Sequence, residues 1–389
     1  MSTTELIASW NYPTSVLAGA GAIRQLADCC KTLGLQRPML VTDPALASLP
    51  MIANAVAAMT NSGLTVNVFS EVRSNPVSAN VAAGVTVYDR LACDGIVAFG
   101  GGSAMDAAKV IALMVGQQRP LWDFIDEGDN WQRADADAIA PIIAVPTTAG
   151  TGSEVGRAAV ITDEQKQIKH LIFHPKLLPS QVILDPELTV GLPAHLTAAT
   201  GMDALSHNLE ALCSPVYHPM ASGIATEGIR LVHDYLPIAV SEGSDINARM
   251  QMITASSMGA TAFQKGLGAM HALAHPLGAL YDAHHGLLNA ILMPYVLIAN
   301  RQAIENKIER LARYLNLPAP NFDGFCDWVL QLRQDIGIPH CLADIGLDKQ
   351  QQERIGLMAL EDPTAATNPV PFTAAQYSAL FSRAVSGEL

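Results

Sequence analysis

The side chains best suited to bind a metal ion lie in the second half of the chain. Asp203 and His207 are four residues apart in a helix-like stretch, and His271 and His275 repeat that spacing. Residues four apart share one face of a helix, about one turn from each other. With the pair His284–His285, these groups lie in apolar surroundings, where a divalent ion would satisfy several of them at once. The mixed oxygen and nitrogen donors suit Fe(II), Zn or Mn.

Two polar loops are predicted to bind a phosphorylated ligand. The loop Gly100–Ser103 directly follows the apolar run Asp94–Phe99 and precedes a helix-like run. Glycine lets the backbone approach a ligand closely, and the N-terminus of the next helix offers free N–H groups. The second loop, Pro146–Glu154, supplies hydroxyls and glycines after another apolar run. Both would lie at the carboxyl ends of parallel strands, where open sheets bind ligands.

Asp43 follows a third strand-like run, Pro38–Thr42. An acidic side chain at this place can accept hydrogen bonds from a ribose 2′-hydroxyl and would repel a 2′-phosphate, which favours NAD over NADP. An Asp-Pro pair also opens turns, so Asp43 supports a nucleotide site only together with the two loops.

The elements that must position these residues differ between the two halves of the chain. Up to about residue 190, short apolar runs alternate with helix-like stretches, which predicts a mostly parallel, Rossmann-like α/β sheet. The predicted strands are Pro38–Thr42, Thr65–Ser70, Asp94–Phe99, Pro141–Val145, Ala158–Thr162, His170–Phe173 and Gln181–Leu184. The predicted helices are Ser48–Ser62, Ser78–Ala92, Met105–Leu113, Leu196–Cys213, Met220–Tyr235, Ala248–Phe263, Ala290–Ala299 and Ile304–Leu315. We therefore predict a dinucleotide-binding domain at 1–191 and an all-helical metal-binding and catalytic domain at 192–389.

Composition excludes several classes of protein. The chain has 389 residues, 50% of them hydrophobic and 15% charged, which argues for folded domains rather than disorder. The net charge of −13 disfavours nucleic acid as a partner. The six cysteines form no CxxC pair and no disulfide framework. The N-terminus lacks a signal-peptide pattern and the apolar runs are shorter than the roughly 20 residues of a membrane span, so we expect a cytoplasmic protein.

Five motifs resemble those of the iron-containing (group III) alcohol dehydrogenase family. They are FGGGSAMDAAK, PTTAGTGSEV, DPELTVGLP, LTAATGMDALSHNLEA and GLGAMHALAHPLGALYDAHHGLLNAILMP. The resemblance runs from about Asp43 to Pro294 and is weaker over the last hundred residues. It implies the dehydroquinate synthase-like fold, with an α/β dinucleotide domain followed by a helical domain.

The resemblance also assigns roles to single residues. It implies the metal ligands Asp203, His207, His271 and His285, for Fe(2+) or alternatively Zn, Mn or Ni. His285 is selected over His284 because the family's ligand directly precedes a glycine, and His275 matches a non-ligand histidine of the active site. NAD is the implied cofactor, with contacts at Asp43, Asn75, Gly101, Gly102, Ser103, Asp106, Thr147, Thr148, Thr151 and Lys169.

One departure bears on the substrate. Lys265, in the segment FQKG, stands where many members have a small residue. Together with FHPKLLP and HHG, it is most similar to the 4-hydroxybutyrate dehydrogenase branch. Lys265 lies six residues before His271, so it could pair with a substrate carboxylate or sulfonate, and Arg157 is a second candidate.

We therefore expect an NAD- and metal-dependent dehydrogenase that interconverts a primary alcohol, such as an ω-hydroxy acid, and its aldehyde. The alternatives are a broad short-chain alcohol or lactaldehyde/1,2-diol oxidoreductase, a lyase of the dehydroquinate synthase type, and a non-catalytic binding protein. NADH production with a simple alcohol separates the dehydrogenase from the lyase, and metal content with turnover separates it from the binding protein. By resemblance we also expect a homodimer or larger homo-oligomer.

Overall fold

A computed structural model describes residues 10–12 and 14–389 of the chain. The stretch tested for a signal peptide, residues 1–9, lies outside the described residues. The chain forms two compact units. The sheet unit comprises Tyr12–Thr148 and Gly152–Gly191, and the helical unit comprises residues 10–11, Ala149–Thr151 and Leu192–Leu389.

The sheet unit is built on six parallel strands in the order β1-β8-β5-β4-β2-β3. These strands are β1 (Ser15–Ala18), β2 (Pro38–Val41), β3 (Asn67–Phe69), β4 (Gly95–Gly100), β5 (Ile142–Pro146) and β8 (Gln181–Leu184). Every residue of β2, β4 and β5 is buried, as expected for central strands covered on both faces. The predicted parallel α/β architecture is confirmed. The edge strand β1, largely exposed, was not predicted.

The described residues of the sheet unit form five α-helices: α1 (Leu26–Thr32), α2 (Pro44–Ala47), α3 (Pro50–Asn61), α4 (Ser78–Arg90) and α5 (Gly102–Met114). The single helix predicted at Ser48–Ser62 instead begins at Pro50, after the separate short helix α2. Proline is favoured in the first turn of a helix, and it disfavours helical geometry at the residue before it, here Leu49.

Two of the predicted strands lie outside the parallel sheet. β6 (Ala158–Asp163) and β7 (Ile168–Phe173) form a separate antiparallel hairpin. The four residues between them are too few for the crossover that parallel strands require, so the hairpin is the only simple solution.

The winding of the parallel sheet reverses between β2 and β4. The chain runs from β2 outward to β3, then crosses back to place β4 on the other side of β2. Open α/β sheets bind ligands outside the carboxyl ends of the strands at such a reversal. Asp43 and Gly100–Ser103 follow these two strands, so both lie at this edge of the sheet.

The helical unit contains eight α-helices in its described part. They are α6 (Ala194–Cys213), α7 (Pro219–Ser241), α8 (Ile246–Ala262), α9 (Ala269–Tyr281), α10 (His285–Tyr314), α11 (Phe322–Asp335), α12 (Gln352–Glu361) and α13 (Ala374–Ser386). The all-helical character predicted for this half is confirmed. Helix α9 continues through Pro276, and the two helices predicted at Ala290–Ala299 and Ile304–Leu315 are one helix, because no glycine or proline separates them.

Helix α10 is long and apolar enough to cross a membrane by length and composition. Of its most apolar window, however, 67% is buried inside the protein. It packs against α6, α9 and α11, so its hydropathy reflects a place in the core of the helical unit.

Close packing of α10 on α6 requires a glycine at position 286. A Cβ added to Gly286 would lie 2.5 Å from the Ala199 carbonyl oxygen and 3.0 Å from Asp203 Cβ. Both atoms belong to the rigid helix α6, so neither can move aside cheaply.

We predict that Gly286→Ala destabilises the fold by about 1–3 kcal/mol, because it overpacks this contact. The midpoint of thermal unfolding measures the effect. Gly223→Ala in α7 is the matched control: its added Cβ would meet nothing within 4 Å, so it should be neutral or stabilising. Equal midpoints for the two variants would show that the helices adjust without cost.

Candidate functional site

Four side chains of the helical unit converge as a metal site would require. Asp203, His207, His271 and His285 each offer one ligand atom, and these atoms all lie within 4.8 Å of one another. The first three residues are at most 3% exposed, and His285 is partly exposed. Three separate helices supply them, α6, α9 and α10. The ligand set implied by the resemblance is therefore one spatial cluster.

Helix α6 supplies Asp203 and His207 from adjacent turns of one face. His207 Nδ1 lies 3.3 Å from the Gly150 carbonyl oxygen, which can only accept, so Nδ1 carries the proton and Nε2 keeps its lone pair. Gly150 approaches α6 closely, since an added Cβ would lie 2.8 Å from the Thr200 carbonyl oxygen. This contact explains why Ala149–Thr151, predicted within the first domain, belong to the helical unit.

Helix α9 supplies His271, whose orientation is set by Glu210. The two are 2.7 Å apart, from Nδ1 to Oε2, and the same carboxylate accepts hydrogen bonds from the backbone N–H groups of Gly268 and Met270. Burial raises the pKa of Glu210 to about 7 and lowers the pKa of His271 well below its usual value. With its Nδ1 proton directed at Glu210, His271 presents Nε2 to the cluster.

The adjacent histidines at the start of α10 have different positions. His284 is the N-cap, and its Nδ1 accepts a hydrogen bond from the Leu287 N–H at 3.3 Å. His285 is the first helical residue and joins the cluster. The left-handed backbone of Asp282 ends α9, and only two residues separate it from α10.

His275 lies beside the cluster without contributing to it. Its ring stacks on that of His285 with centroids 5.5 Å apart, and its Nδ1 lies 2.7 Å from Asp362 Oδ2. Although burial alone would raise the pKa of Asp362, His275 and Thr364 together lower it below its usual value. A negatively charged Asp362 therefore holds the Nδ1 proton of His275.

The donors present fit a divalent cation. Imidazole and carboxylate groups are both ligands of Fe(II) and Zn, and two of the imidazoles have tautomers fixed so that Nε2 is a lone-pair donor. Partners on the outer nitrogens are what oriented metal ligands require.

In the sheet unit, the two glycine-rich loops pack against each other. The Thr147 N–H donates to the Gly100 carbonyl oxygen at 3.0 Å, and a Cβ on Gly101 would lie 3.2 Å from Thr148 Cγ2. Gly101 is the N-cap of α5 and has no side chain to satisfy the free N–H groups of that helix, which begins at Gly102. Nearby, the buried Thr42 hydroxyl has no partner among the described residues. The arrangement suits a diphosphate at the helix N-terminus.

Further predicted cofactor residues tie neighbouring segments to these loops. Ser103 donates a hydrogen bond to the Ser74 carbonyl oxygen, and Lys169 Nζ donates to Asn75 Oδ1 at 2.8 Å. Asp43 is the N-cap of α2, where its Oδ1 accepts two backbone hydrogen bonds at 2.9 Å. The structure thus places four of these residues at the same edge of the sheet. Thr151 lies in the helical unit instead.

Asp106 has an internal role. Its carboxylate accepts from the Ser153 hydroxyl at 2.6 Å and from the Val160 N–H at 2.9 Å. Lys109 Nζ donates to the same Ser153 oxygen at 2.7 Å, and burial lowers the pKa of Lys109 to about 8. Asp106 therefore links α5 to the second loop and to β6. Its predicted contact with the cofactor stays a prediction.

The two candidate substrate residues differ in how much of their hydrogen-bonding capacity is used. Lys265 is 4% exposed and its Nζ donates to the Leu212 carbonyl oxygen at 3.0 Å, near the C-terminus of α6. Burial, followed by the nearby Lys307, lowers the pKa of Lys265 to about 8. Arg157 lies over the Phe173 ring at 5.4 Å, and no hydrogen bond or ion pair to its guanidinium is found within the described residues.

Comparison with known proteins matches both halves of the chain. Residues 13–186 match the sequence model of "iron-containing alcohol dehydrogenase", and residues 197–385 match that of the "Fe-containing alcohol dehydrogenase family, C-terminal". The chain belongs to the iron-containing alcohol dehydrogenase family. Membership confirms the predicted fold and oxidoreductase activity, and it implies that the protein uses a metal ion and NAD.

Characterised members resemble the chain over nearly its whole length. The 4-hydroxybutyrate dehydrogenase of Cupriavidus necator is 39% identical, over 96% of this chain and 99% of that protein. A crystal structure of 1,3-propanediol oxidoreductase is 35% identical with a TM-score of 0.92, covering 97% of this chain and 100% of the other. That of sulfoacetaldehyde reductase from Bifidobacterium kashiwanohense, in complex with NAD+, is 30% identical with a TM-score of 0.88, covering 98% and 99%.

Glu210 and Asp362 are two polar side chains at this alcohol dehydrogenase site that sequence reasoning missed. Glu210 could have been found, because it lies three residues after His207 and so shares its helix face. Asp362 could not, since 87 residues separate it from His275 and it lies outside the matching motifs.

We predict that Glu210→Gln weakens metal affinity by about 10–100-fold, since the amide cannot accept all three hydrogen bonds and no longer polarises His271. Competition with a chromophoric chelator measures this affinity. The exposed Glu353→Gln is the control and should bind metal like the wild type. Unchanged affinity in Glu210→Gln would mean that the carboxylate serves folding alone.

Proposed function

We propose that the chain is an NAD-dependent dehydrogenase that interconverts a primary alcohol and its aldehyde at a divalent metal ion, Fe(2+) by preference. The single observation that carries this proposal is the convergence of Asp203, His207, His271 and His285. Zn, Mn or Ni could occupy the same donors, because metal supply as well as ligand type decides the ion.

The residues of the helical unit have separate roles around the reacting oxygen. When bound, the ion acts as a Lewis acid that lowers the pKa of an alcohol or polarises an aldehyde. Asp203 and the three imidazoles would hold the ion, and Glu210 and the Gly150 carbonyl keep two of those imidazoles in the required tautomer. His275, protonated on Nδ1 through Asp362, has Nε2 left to accept the substrate's hydroxyl proton and release it to solvent.

The sheet unit contributes the cofactor. NAD, when bound, accepts or donates the hydride. The free N–H groups at the start of α5 and the hydroxyls of Thr147 and Thr148 would bind the diphosphate. Asp43 retains a second carboxylate oxygen, Oδ2, beyond the one that caps α2, and this oxygen would bind the ribose hydroxyls.

For the substrate we propose an ω-hydroxy acid such as 4-hydroxybutyrate. Support comes from the similarity to the C. necator enzyme and from the Arg157 guanidinium, whose N–H groups have no hydrogen-bond partner within the described residues. The competing proposal is a neutral short-chain alcohol or diol, and the similarity to 1,3-propanediol oxidoreductase favours it. A cytoplasmic location and assembly into homo-oligomers complete the proposal.

We predict that His271→Ala abolishes metal binding and alcohol-dependent NADH formation, while NADH binding, followed by fluorescence, persists. The reason is that His271 supplies a buried ligand atom of the helical unit, whereas the dinucleotide loops belong to the sheet unit. The exposed His195→Ala serves as control. Turnover by metal-free His271→Ala would refute the mechanism.

We predict that Arg157→Ala lowers kcat/KM for 4-hydroxybutyrate by roughly 10–100-fold, the loss expected for a charged hydrogen bond, and leaves 1-butanol unchanged. Lys265→Met should change both substrates alike, because its ammonium is engaged by the Leu212 carbonyl. Steady-state kinetics with 4-hydroxybutyrate and with 1-butanol measure kcat/KM for each variant. A selective loss of the acid in Lys265→Met would reverse the assignment, and no selective loss in either variant would favour the neutral alcohol.

A further inference from the structure

Arg333 is a buried cation that uses only part of its hydrogen-bonding capacity. It lies on α11 and is 2% exposed, and its Nη2 donates to the carbonyl oxygens of Pro339 and His340, both at 2.8 Å. The Nε and Nη1 atoms are also buried and have no hydrogen-bond partner among the described residues. A guanidinium has five N–H hydrogens, so three of them lack an acceptor.

Arg249 of α8 shows how a similar side chain is normally accommodated. It is 3% exposed, and each of its three nitrogens donates to an oxygen atom at 2.8–3.3 Å; these oxygens belong to Gly243, Thr197 and Leu192. Burial lowers the pKa of Arg333 to about 10, so its guanidinium is still charged at neutral pH. Because its two acceptors are neutral carbonyl groups, the charge is left without an anion, and that is costly in a buried place.

A cavity of about 690 Å³, which we call the α11 cavity, lies between α11 and the segment 337–340. Arg333 lines this cavity, and so do Pro339 and His340, whose carbonyl groups hold its Nη2. Leu330 and Ile338 give the cavity an apolar wall. The volume is within the range of small-molecule binding sites. A buried cation beside a cavity of this size indicates an anionic ligand.

The other groups around the α11 cavity restrict which anion fits. A carboxylate accepts hydrogen bonds from a guanidinium and neutralises its charge. The apolar wall would cover a short hydrocarbon chain. The exposed Asp327 also lines the cavity, and its negative charge disfavours a ligand with more than one charge, such as inorganic phosphate. The combination favours a small aliphatic monocarboxylate.

We propose that the α11 cavity binds a small aliphatic carboxylate, with the carboxylate paired to Arg333 and the hydrocarbon chain on Leu330 and Ile338. Since Nε and Nη1 are covered in this structure, the guanidinium must turn toward the cavity on binding. Charge-assisted hydrogen bonds to the ligand compensate any bond that Nη2 loses. The α11 cavity shares no residue with the metal cluster or the two glycine-rich loops, so it is an additional ligand site.

The test measures hexanoate binding to the full chain by saturation-transfer NMR titration. Hexanoate should bind the wild type, and neutral 1-hexanol should displace it only at a concentration at least tenfold higher. Inorganic phosphate should not displace it. Arg333→Met removes the charge and keeps a side chain of similar length, so it should weaken hexanoate binding by about tenfold or more.

Arg249→Met is the matched control for the loss of a buried arginine. It should lower the unfolding temperature and leave hexanoate binding unchanged, because Arg249 does not line the α11 cavity. Arg157→Ala, which tests for binding at the proposed substrate site instead, should also bind hexanoate like the wild type. If Arg333→Met does not fold, Gln334→Trp at an exposed position of the cavity lining should obstruct the cavity and weaken binding about tenfold.

Three results would overturn this inference: a wild type that does not bind hexanoate, a folded Arg333→Met or Gln334→Trp variant with wild-type affinity, or a loss of binding confined to Arg157→Ala. The proposed dehydrogenase activity is measured separately, by metal content and NADH formation, and is unaffected by any of these results.

Discussion

The arrangement of the helical unit depends on one buried carboxylate. Glu210, near the end of α6, accepts hydrogen bonds from two backbone N–H groups at the start of α9 and from His271 on the same helix. These free N–H groups and the helix dipole favour negative charge, which offsets part of the cost of burying the carboxylate. One interaction therefore joins two of the three ligand-bearing helices and fixes the tautomer of a ligand.

A buried carboxylate also joins neighbouring segments at the carboxyl edge of the sheet. Asp106 connects the start of α5 to the second glycine-rich loop through Ser153, and Lys109 reaches that hydroxyl as well. Because the central strands are parallel and buried, their carboxyl ends are aligned, and the loops that follow them touch. Each unit thus contains a buried charged group whose role is to hold ligand-binding segments together. Such groups are costly to bury and are retained where geometry matters.

Family membership and ligand convergence define the class of chemistry, but they do not define the substrate. Relatives with similar identity act on a hydroxy acid, a diol or a sulfonated aldehyde, according to their names. The charged groups of the two candidate substrate residues differ in what they contact: the Lys265 ammonium donates to the Leu212 carbonyl oxygen at the end of α6, whereas the Arg157 guanidinium lies over the Phe173 ring.

The sequence by itself determined the fold class, because buried apolar runs and helical periodicity are local signals. Spacing alone left His275 and His284 among the candidate metal ligands, and the resemblance to a known family supplied the four members of the cluster. It also located the two loops of the nucleotide edge. Only the tertiary structure decided what depends on contacts between distant segments: the partner of His275, the contact of Asn289 with Asp203, the role of Lys265 as a cap on α6, and the hairpin formed by β6 and β7. The hydrogen bond between His275 and Asp362 spans 87 residues and produces no periodic pattern in the sequence, since only the packing of the chain brings the two side chains together.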